Sequence, residues 1–133
     1  MKSAFALAQK PLEKVLPQIR VGLPAAMFEQ VASSVGLSTT ALAEKLGIAR
    51  RTLTRKRGSG APLSKETSEK ILRVARIRNL AAELFKTDAS VAQWIAKPDA
   101  ALGNAAPIDL LDTEVGAREV EDLLRALAHG QFV

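Results

Sequence analysis

Residues 38–57 read STTALAEKLGIARRTLTRKR. Leu42, Leu46, Ile48 and Leu53 follow one another at steps of 4, 2 and 5, a spacing that suits two short helices across a turn and not one continuous helix. Gly47 stands at the joint, where such a turn favours positive φ. Ala43 is small where the two helices would cross, and Ser38 is the expected N-cap of the first. The stretch predicts a helix-turn-helix, with Leu42, Leu46, Ile48 and Leu53 turned inward.

The second helix of this pair covers about residues 50–57. At ~100° per residue, with Leu53 inward, Arg51 and Arg55 fall roughly 160° away on either side and point outward. Thr52 and Thr54 flank them. Arg50, Lys56 and Arg57 lie nearer the buried side on long stems that can reach around it. An outward Arg-Thr-Thr-Arg face suits base edges, because a guanidinium bonds guanine O6 and N7 in pairs and threonine offers a hydroxyl and a methyl. Ser38 and Thr39 open the first helix, where amides and hydroxyls can hold a phosphate. The candidate DNA-binding residues are therefore Ser38, Thr39, Arg50, Arg51, Thr52, Thr54, Arg55 and Lys56. Lys56 departs from many such motifs, which carry an aliphatic side chain at that inward position. A helical hairpin with basic residues at a helix C-terminus would share the pattern.

Working outward, helical spacing recurs and strand signals are scarce. Pro11 and Pro17 interrupt residues 1–20, which read as a loosely held arm. Pro24 starts a helix carrying Phe28, Val31, Ala32 and Val35, and Gly36 ends it. Gly58, Ser59 and Gly60 read as a loop. Ser64 caps a long helix with Ile71, Val74, Ala75, Ile77, Leu80, Ala81, Leu84 and Phe85 on a broad apolar face. Asp88 caps a short helix with Val91, Trp94 and Ile95. Pro107 opens a single turn, and Thr113 caps a last helix with Val120, Leu123, Leu124 and Leu127, closed by His129 and Gly130. The expected fold is all-α: an arm at 1–21, a helix-turn-helix bundle at 22–63, a connecting helix at 64–87, and a small helical domain at 88–133.

Charge divides along the same line. Residues 45–78 hold eleven basic and two acidic side chains, whereas residues 79–133 hold four basic and nine acidic ones. That asymmetry points to a polyanion for the first segment and a different partner for the second. Solvated helix faces would give similar counts. Arg73, Arg76 and Arg78 read as the solvated side of the long helix, or as an extension of the positive surface.

Composition narrows the chemistry. With 133 residues, no cysteine and one histidine, disulfides, thiolate sites and His–His acid/base pairs are excluded. His129 reads as a helix-end cap, Trp94 as core, and the C-terminal acids as helix N-terminal or solvated groups. No nucleophile–base constellation is present, so an enzyme is not expected, nor a cofactor or a metal. No apolar run reaches the ~20 residues that span a bilayer. The expected location is the cytoplasm, without a membrane partner.

The segment WIAKPDAALGNAAPIDLLDTEVGAREVEDLLRALAHGQFV resembles the C-terminal toxin-binding domain of the Xre/MbcA/ParS antitoxin family. The shared pattern is a Trp-led helix, a Pro-containing turn, Ala-Leu-Gly, a Pro-led Leu-Leu-Asp turn, Gly-Ala-x-x-Val and a final Gly-x-Phe. Upstream, GLSTTALAEKLGIARRTLTRK is similar to the family's Xre-like half, so the resemblance spans about residues 22–133. Asp99 stands where Asn is common and Asn104 where a second Gly is common. The resemblance implies an antidote to a RES-domain toxin that consumes NAD, encoded by a neighbouring gene. It also implies a helix-turn-helix that represses its own operon at operator DNA. On that basis Gln131, Phe132 and Val133 plug the toxin's cofactor entrance, and Leu102, Gly103, Asn104 and Arg118 shape the docking surface. A homodimer and a larger toxin–antitoxin assembly are expected, since a two-fold pair reads a palindrome. The rival expectation is a stand-alone regulator whose C-terminal domain dimerises or senses a ligand.

Overall fold

The computed structural model describes residues 3–130. Its helices are α1 (Ala4–Ala8), α2 (Leu12–Val21), α3 (Ala25–Ser34), α4 (Thr39–Leu46), α5 (Arg50–Ser59), α6 (Lys65–Phe85), α7 (Asp88–Ala96) and α8 (Glu114–Ala128). Two single turns of 3-10 helix, Ala100–Leu102 and Pro107–Leu110, lie between α7 and α8. No strand forms among the described residues, as the all-α reading expects.

The 21-residue α6 is the spine of the molecule. Ser64 Oγ accepts from the Thr67 amide at 3.1 Å and so caps it, with Glu66 in the positive first turn. Ile71, Val74, Ala75, Ile77 and Ala81 are fully buried along it. Burying each large aliphatic side chain contributes about 1.5–3 kcal/mol. Helices α1, α2, α3, α7 and α8 all pack against α6. One continuous core runs from Ala4 to Leu124. The long helix is thus shared by both halves, and not a bare connector.

The N-terminal residues differ from the expected loose arm. Ser3 caps α1 through a 3.1 Å bond from the Ala6 amide, and Ala4 and Leu7 are buried. Asn79 Nδ2 donates to the Phe5 carbonyl at 3.0 Å, and the Arg78 guanidinium sits 4.8 Å from the centre of the Phe5 ring. Pro11 precedes the first turn of α2. Pro17 lies inside α2 on its exposed side, where water can solvate the one carbonyl left without a donor.

Smaller corrections concern helix ends. Pro24 is the N-cap of α3, not its first residue. Thr87, not Asp88, caps α7, its Oγ1 accepting from the Ser90 amide at 3.1 Å. Gly58 and Ser59 belong to α5, and the chain turns at Gly60 with φ +72°. Beyond it, the Leu63 amide donates to the Leu23 carbonyl at 2.9 Å. The Leu23 amide donates to the buried Ser68 Oγ, also at 2.9 Å, so this polar group on α6 is satisfied.

Candidate functional site

The helix-turn-helix forms as its sequence predicts. Ser38 Oγ accepts from the Ala41 amide at 3.0 Å and caps α4. Gly47 adopts φ +70° and ψ 32°, and the Ile48 amide closes the turn on the Ala43 carbonyl at 2.8 Å. Leu42, Ala43, Leu46 and Leu53 are buried and Ile48 is half-buried. With Leu53 anchored, α5 turns Arg50, Arg51, Thr54 and Arg55 to solvent and leaves Thr52 and Lys56 half-buried. Lys56 thus tolerates its inward register because its stem is only partly covered. Thr54 Oγ1 donates to the Arg50 carbonyl at 3.1 Å, which leaves its oxygen as an acceptor only. Thr39 lines a concave surface between α3, α4 and α5 together with Phe28, Arg50 and Leu53.

The basic segment is less uniform than its count implies. Lys45 pairs with Asp109 at 2.6 Å, and Arg57 pairs with Glu29 on α3. Lys70 Nζ donates to the Leu46 carbonyl at 2.8 Å, at the negative end of α4. Arg73 and Arg76 bond Glu114 at 3.4 and 2.9 Å, and Arg78 bonds Asp88 at 2.5 Å. These three arginines neither extend a positive surface nor stand free in solvent. They fasten α7 and α8 to α6. Among the described residues, Arg50, Arg51, Arg55 and Lys56 form no ion pair, so the uncompensated positive charge concentrates on α5.

Partial burial pushes the Glu114 carboxyl up, and the hydrogen bonds and charge of Arg76, followed by Arg73, outweigh it and hold the group below its ordinary value. Arg73 Nη1 also donates to the Leu111 carbonyl at 3.1 Å.

The C-terminal half is built around a tight loop and a close helix contact. Asp99 Oδ1 accepts from the Ala101 amide at 2.9 Å, a turn that aspartate makes as readily as asparagine. The Asp99 amide donates to the Ala105 carbonyl at 3.1 Å, and the Asn104 amide to the Asp99 carbonyl at 2.9 Å. Gly103 and Asn104 are both left-handed, at φ +67° and +68°. Asparagine is among the few non-glycine residues that tolerate this region, which accounts for Asn104 in a place suited to glycine. Both residues are exposed and Leu102 is half-buried. Arg118 lies exposed on α8, in no ion pair or side-chain hydrogen bond among the described residues. Helix α8 packs beside the Ala100–Leu102 turn, so the loop and this helix share one end of the molecule. Gln131, Phe132 and Val133 lie outside the described residues.

Gly116 explains how α8 sits. A Cβ on it would lie 2.0 Å from the Leu110 carbonyl oxygen. Glycine there lets the first turn of α8 close onto the Pro107–Leu110 turn, burying Ile108, Leu111, Ala117 and Val120. The Gly-Ala-x-x-Val spacing carried this signal, as a backbone approach next to an inward i, i+3 pair. The described residues hold no cluster of three or more His, Cys, Asp or Glu placed for a metal, and none of their helices is long and apolar enough to cross a membrane.

Residues 14–76 match the model of the antitoxin Xre-like helix-turn-helix domain, and residues 80–130 match that of the antitoxin Xre/MbcA/ParS C-terminal toxin-binding domain. An Antitoxin Xre of Yersinia enterocolitica is 33% identical over 119 residues, spanning 89% of this chain and 80% of the relative. The chain belongs to the Xre/MbcA/ParS antitoxin family. An Antitoxin Xre of Photorhabdus laumondii is 29% identical over 110 residues, covering 82% of this chain and 74% of its own. A Prs ADP-ribosylating antitoxin of a Sphingobium species is 28% identical over 145 aligned positions, covering 98% and 91%. As a member, this antitoxin is a binding protein with a toxin partner and not an enzyme. The two matched segments meet within α6, the helix that serves both cores.

Proposed function

We propose that this antitoxin neutralises a RES-domain toxin encoded by a neighbouring gene, and that it represses its own operon through α5. The supporting observation is the pairing, in one chain, of a toxin-binding domain with a helix whose outward cations Arg50, Arg51 and Arg55 join no ion pair among the described residues. The name of the Sphingobium relative refers to ADP-ribosylation, a transfer that uses NAD, and this favours an NAD-binding partner. In this reading Leu102, Gly103, Asn104 and Arg118 form the docking surface. Gln131, Phe132 and Val133 enter the toxin's cofactor cleft and exclude NAD.

At operator DNA, Arg51 and Arg55 read base edges, while Ser38, Thr39, Arg50 and Lys56 hold the backbone and Thr52 and Thr54 complete the contact. A single small module binds weakly, so the active form is a homodimer on a palindrome, within a larger toxin–antitoxin assembly in the cytoplasm.

The test is co-expression with the neighbouring gene product. Copurification, rescue of growth, and loss of rescue on deleting residues 131–133 are the expected results. Rescue that survives the deletion would refute the plugging tail. Failure to copurify would leave a DNA-binding regulator alone.

A further inference from the structure

The concave surface between α3, α4 and α5 holds a carboxylate among its cations. Arg50, Thr54 and Arg57 stand at i, i+4 and i+7 on α5. With Leu53 inward at ~100° per residue, they fall about 60°, 100° and 40° to the same side, so they form one row along the helix. All three line the surface, with Thr39 and Thr40 at the start of α4 and Glu29 on α3 around them. Arg50 joins no ion pair among the described residues, whereas Arg57 is held by Glu29.

The pair is open to exchange. The side chains of Arg57 and Glu29 are 62% and 41% exposed, so water and salt screen their attraction. A phosphate offers a guanidinium the same paired, charge-assisted hydrogen bonds that a carboxylate does. A DNA backbone running along the row would therefore meet Arg50 free and Arg57 engaged. To take Arg57 it must displace Glu29, and the displaced carboxylate then stands as a like charge beside the phosphate. One anion replaces another, and the exchange gains little over leaving Arg57 where it is.

We propose that Arg57 is a latent contact to the DNA backbone and that Glu29 withholds it, keeping sequence-independent affinity below what the row of cations on α5 allows. The proposal deepens the DNA-binding reading above and rests on it. Phosphate contacts carry no sequence information. Glu29 therefore loosens the grip on every duplex alike and leaves base readout by Arg51 and Arg55 unchanged. Its carboxylate is a positioning group, acting on DNA through the guanidinium it holds.

The experiment is fluorescence anisotropy of the full chain on a random-sequence duplex and on the DNA upstream of its gene, at several salt concentrations, with circular dichroism to confirm that each variant is folded. Glu29→Gln keeps the size of the side chain and removes its charge. It is expected to steepen the slope of log affinity against log salt by about 0.9, the share of one phosphate. Between 200 and 50 mM salt it should gain roughly threefold over wild type, equally on both duplexes. Arg57→Gln alone should leave the slope near that of wild type, and the double variant E29Q/R57Q should lose the gain. Wild type that binds neither duplex at low salt would sink the DNA-binding reading and this proposal with it. Where wild type binds, a Glu29→Gln variant no tighter than it would show a tie between α3 and α5 and nothing more. A gain that survives in E29Q/R57Q would show general repulsion, and a slope already lowered by Arg57→Gln would show that Arg57 is not withheld. Each of these three results overturns the role of Glu29 and leaves DNA binding standing.

Discussion

The Lys45 ammonium lies 2.6 Å from Asp109 Oδ1, joining the first helix of the helix-turn-helix to the Pro107–Leu110 turn of the toxin-binding domain. Both side chains are about two-fifths exposed, at 40% and 45%, so the pair is screened and modest in energy. A double-mutant cycle with Lys45→Met and Asp109→Asn is expected to give a coupling of about 0.2–1 kcal/mol by urea denaturation, shrinking as salt rises. Since Lys45 is held by Asp109, Lys45→Ala should lower DNA affinity less than Arg51→Ala does in the same gel-shift series.

The exposed arginines of α5 should behave differently from the paired one beside them. Arg51→Ala and Arg55→Ala are each expected to cost about 1–3 kcal/mol at the operator and to relax preference at the base they touch. Lys56→Ala should weaken binding evenly across sequences and lower the slope of log affinity against log salt by about 1. Arg57 is engaged by Glu29, so Arg57→Ala should act on thermal stability before it alters base preference. Fluorescence anisotropy on operator and scrambled duplexes, repeated at several salt concentrations, separates these effects.

Glu114 gives the fold an acid-sensitive joint. Its carboxyl is held below the ordinary value of 4.5, while the unfolded chain titrates near that value. A depressed carboxylate contributes stability that is present in full above the unfolded value and is lost as pH falls through the folded one. The melting temperature of the wild type should therefore drop more steeply below about pH 4.5 than that of Glu114→Gln, with the two curves running parallel near neutrality. Identical slopes in acid would show that Arg73 and Arg76 do not hold the charged form.

Much of this architecture was legible in the sequence because its causes are local. Gly47, Ser38, Ser64 and Thr113 act within one helical turn, and all four appear where spacing places them. What escaped depends on partners far along the chain. Helix α1 is five residues long, too short for periodicity, and its anchors Arg78 and Asn79 come about seventy residues later. Arg73, Arg76 and Arg78 read as solvated or as part of a positive surface because counting charges cannot reveal that they meet Glu114 and Asp88 within the same molecule. The outward face of α5 was easier to read than the shape of the loop before α8. A helix face follows from the positions of Leu53 and Gly47, whereas a loop such as 99–105 follows from backbone hydrogen bonds that composition does not display.

Gly116→Ala tests the seat of α8. The added methyl would fall 2.0 Å from the Leu110 carbonyl oxygen, and backbone cannot swing aside as a flexible side chain does. The helix must lift away, loosening Ala117 and Val120 from the core. Overpacking of this kind costs about 1–3 kcal/mol. Chemical denaturation should show that loss. Helix α5 shares no turn with this joint, so DNA affinity of the folded fraction should stay near wild type.

Asn104 offers a test that separates loop shape from side-chain contact. At φ +68° a β-branched residue is strained, and Asn104→Val is expected to cost about 1–2 kcal/mol and to disturb the 99–105 loop. Asn104→Gly keeps the backbone region freely available, so its stability should lie within about 1 kcal/mol of wild type. The pair divides the outcomes for toxin affinity. If Asn104 serves only to shape the loop, Asn104→Gly retains toxin binding and Asn104→Val loses it. If its exposed amide touches the toxin, both variants lose affinity, although the glycine variant is as stable as the parent. Titration calorimetry against the purified toxin, with melting curves alongside, distinguishes the two.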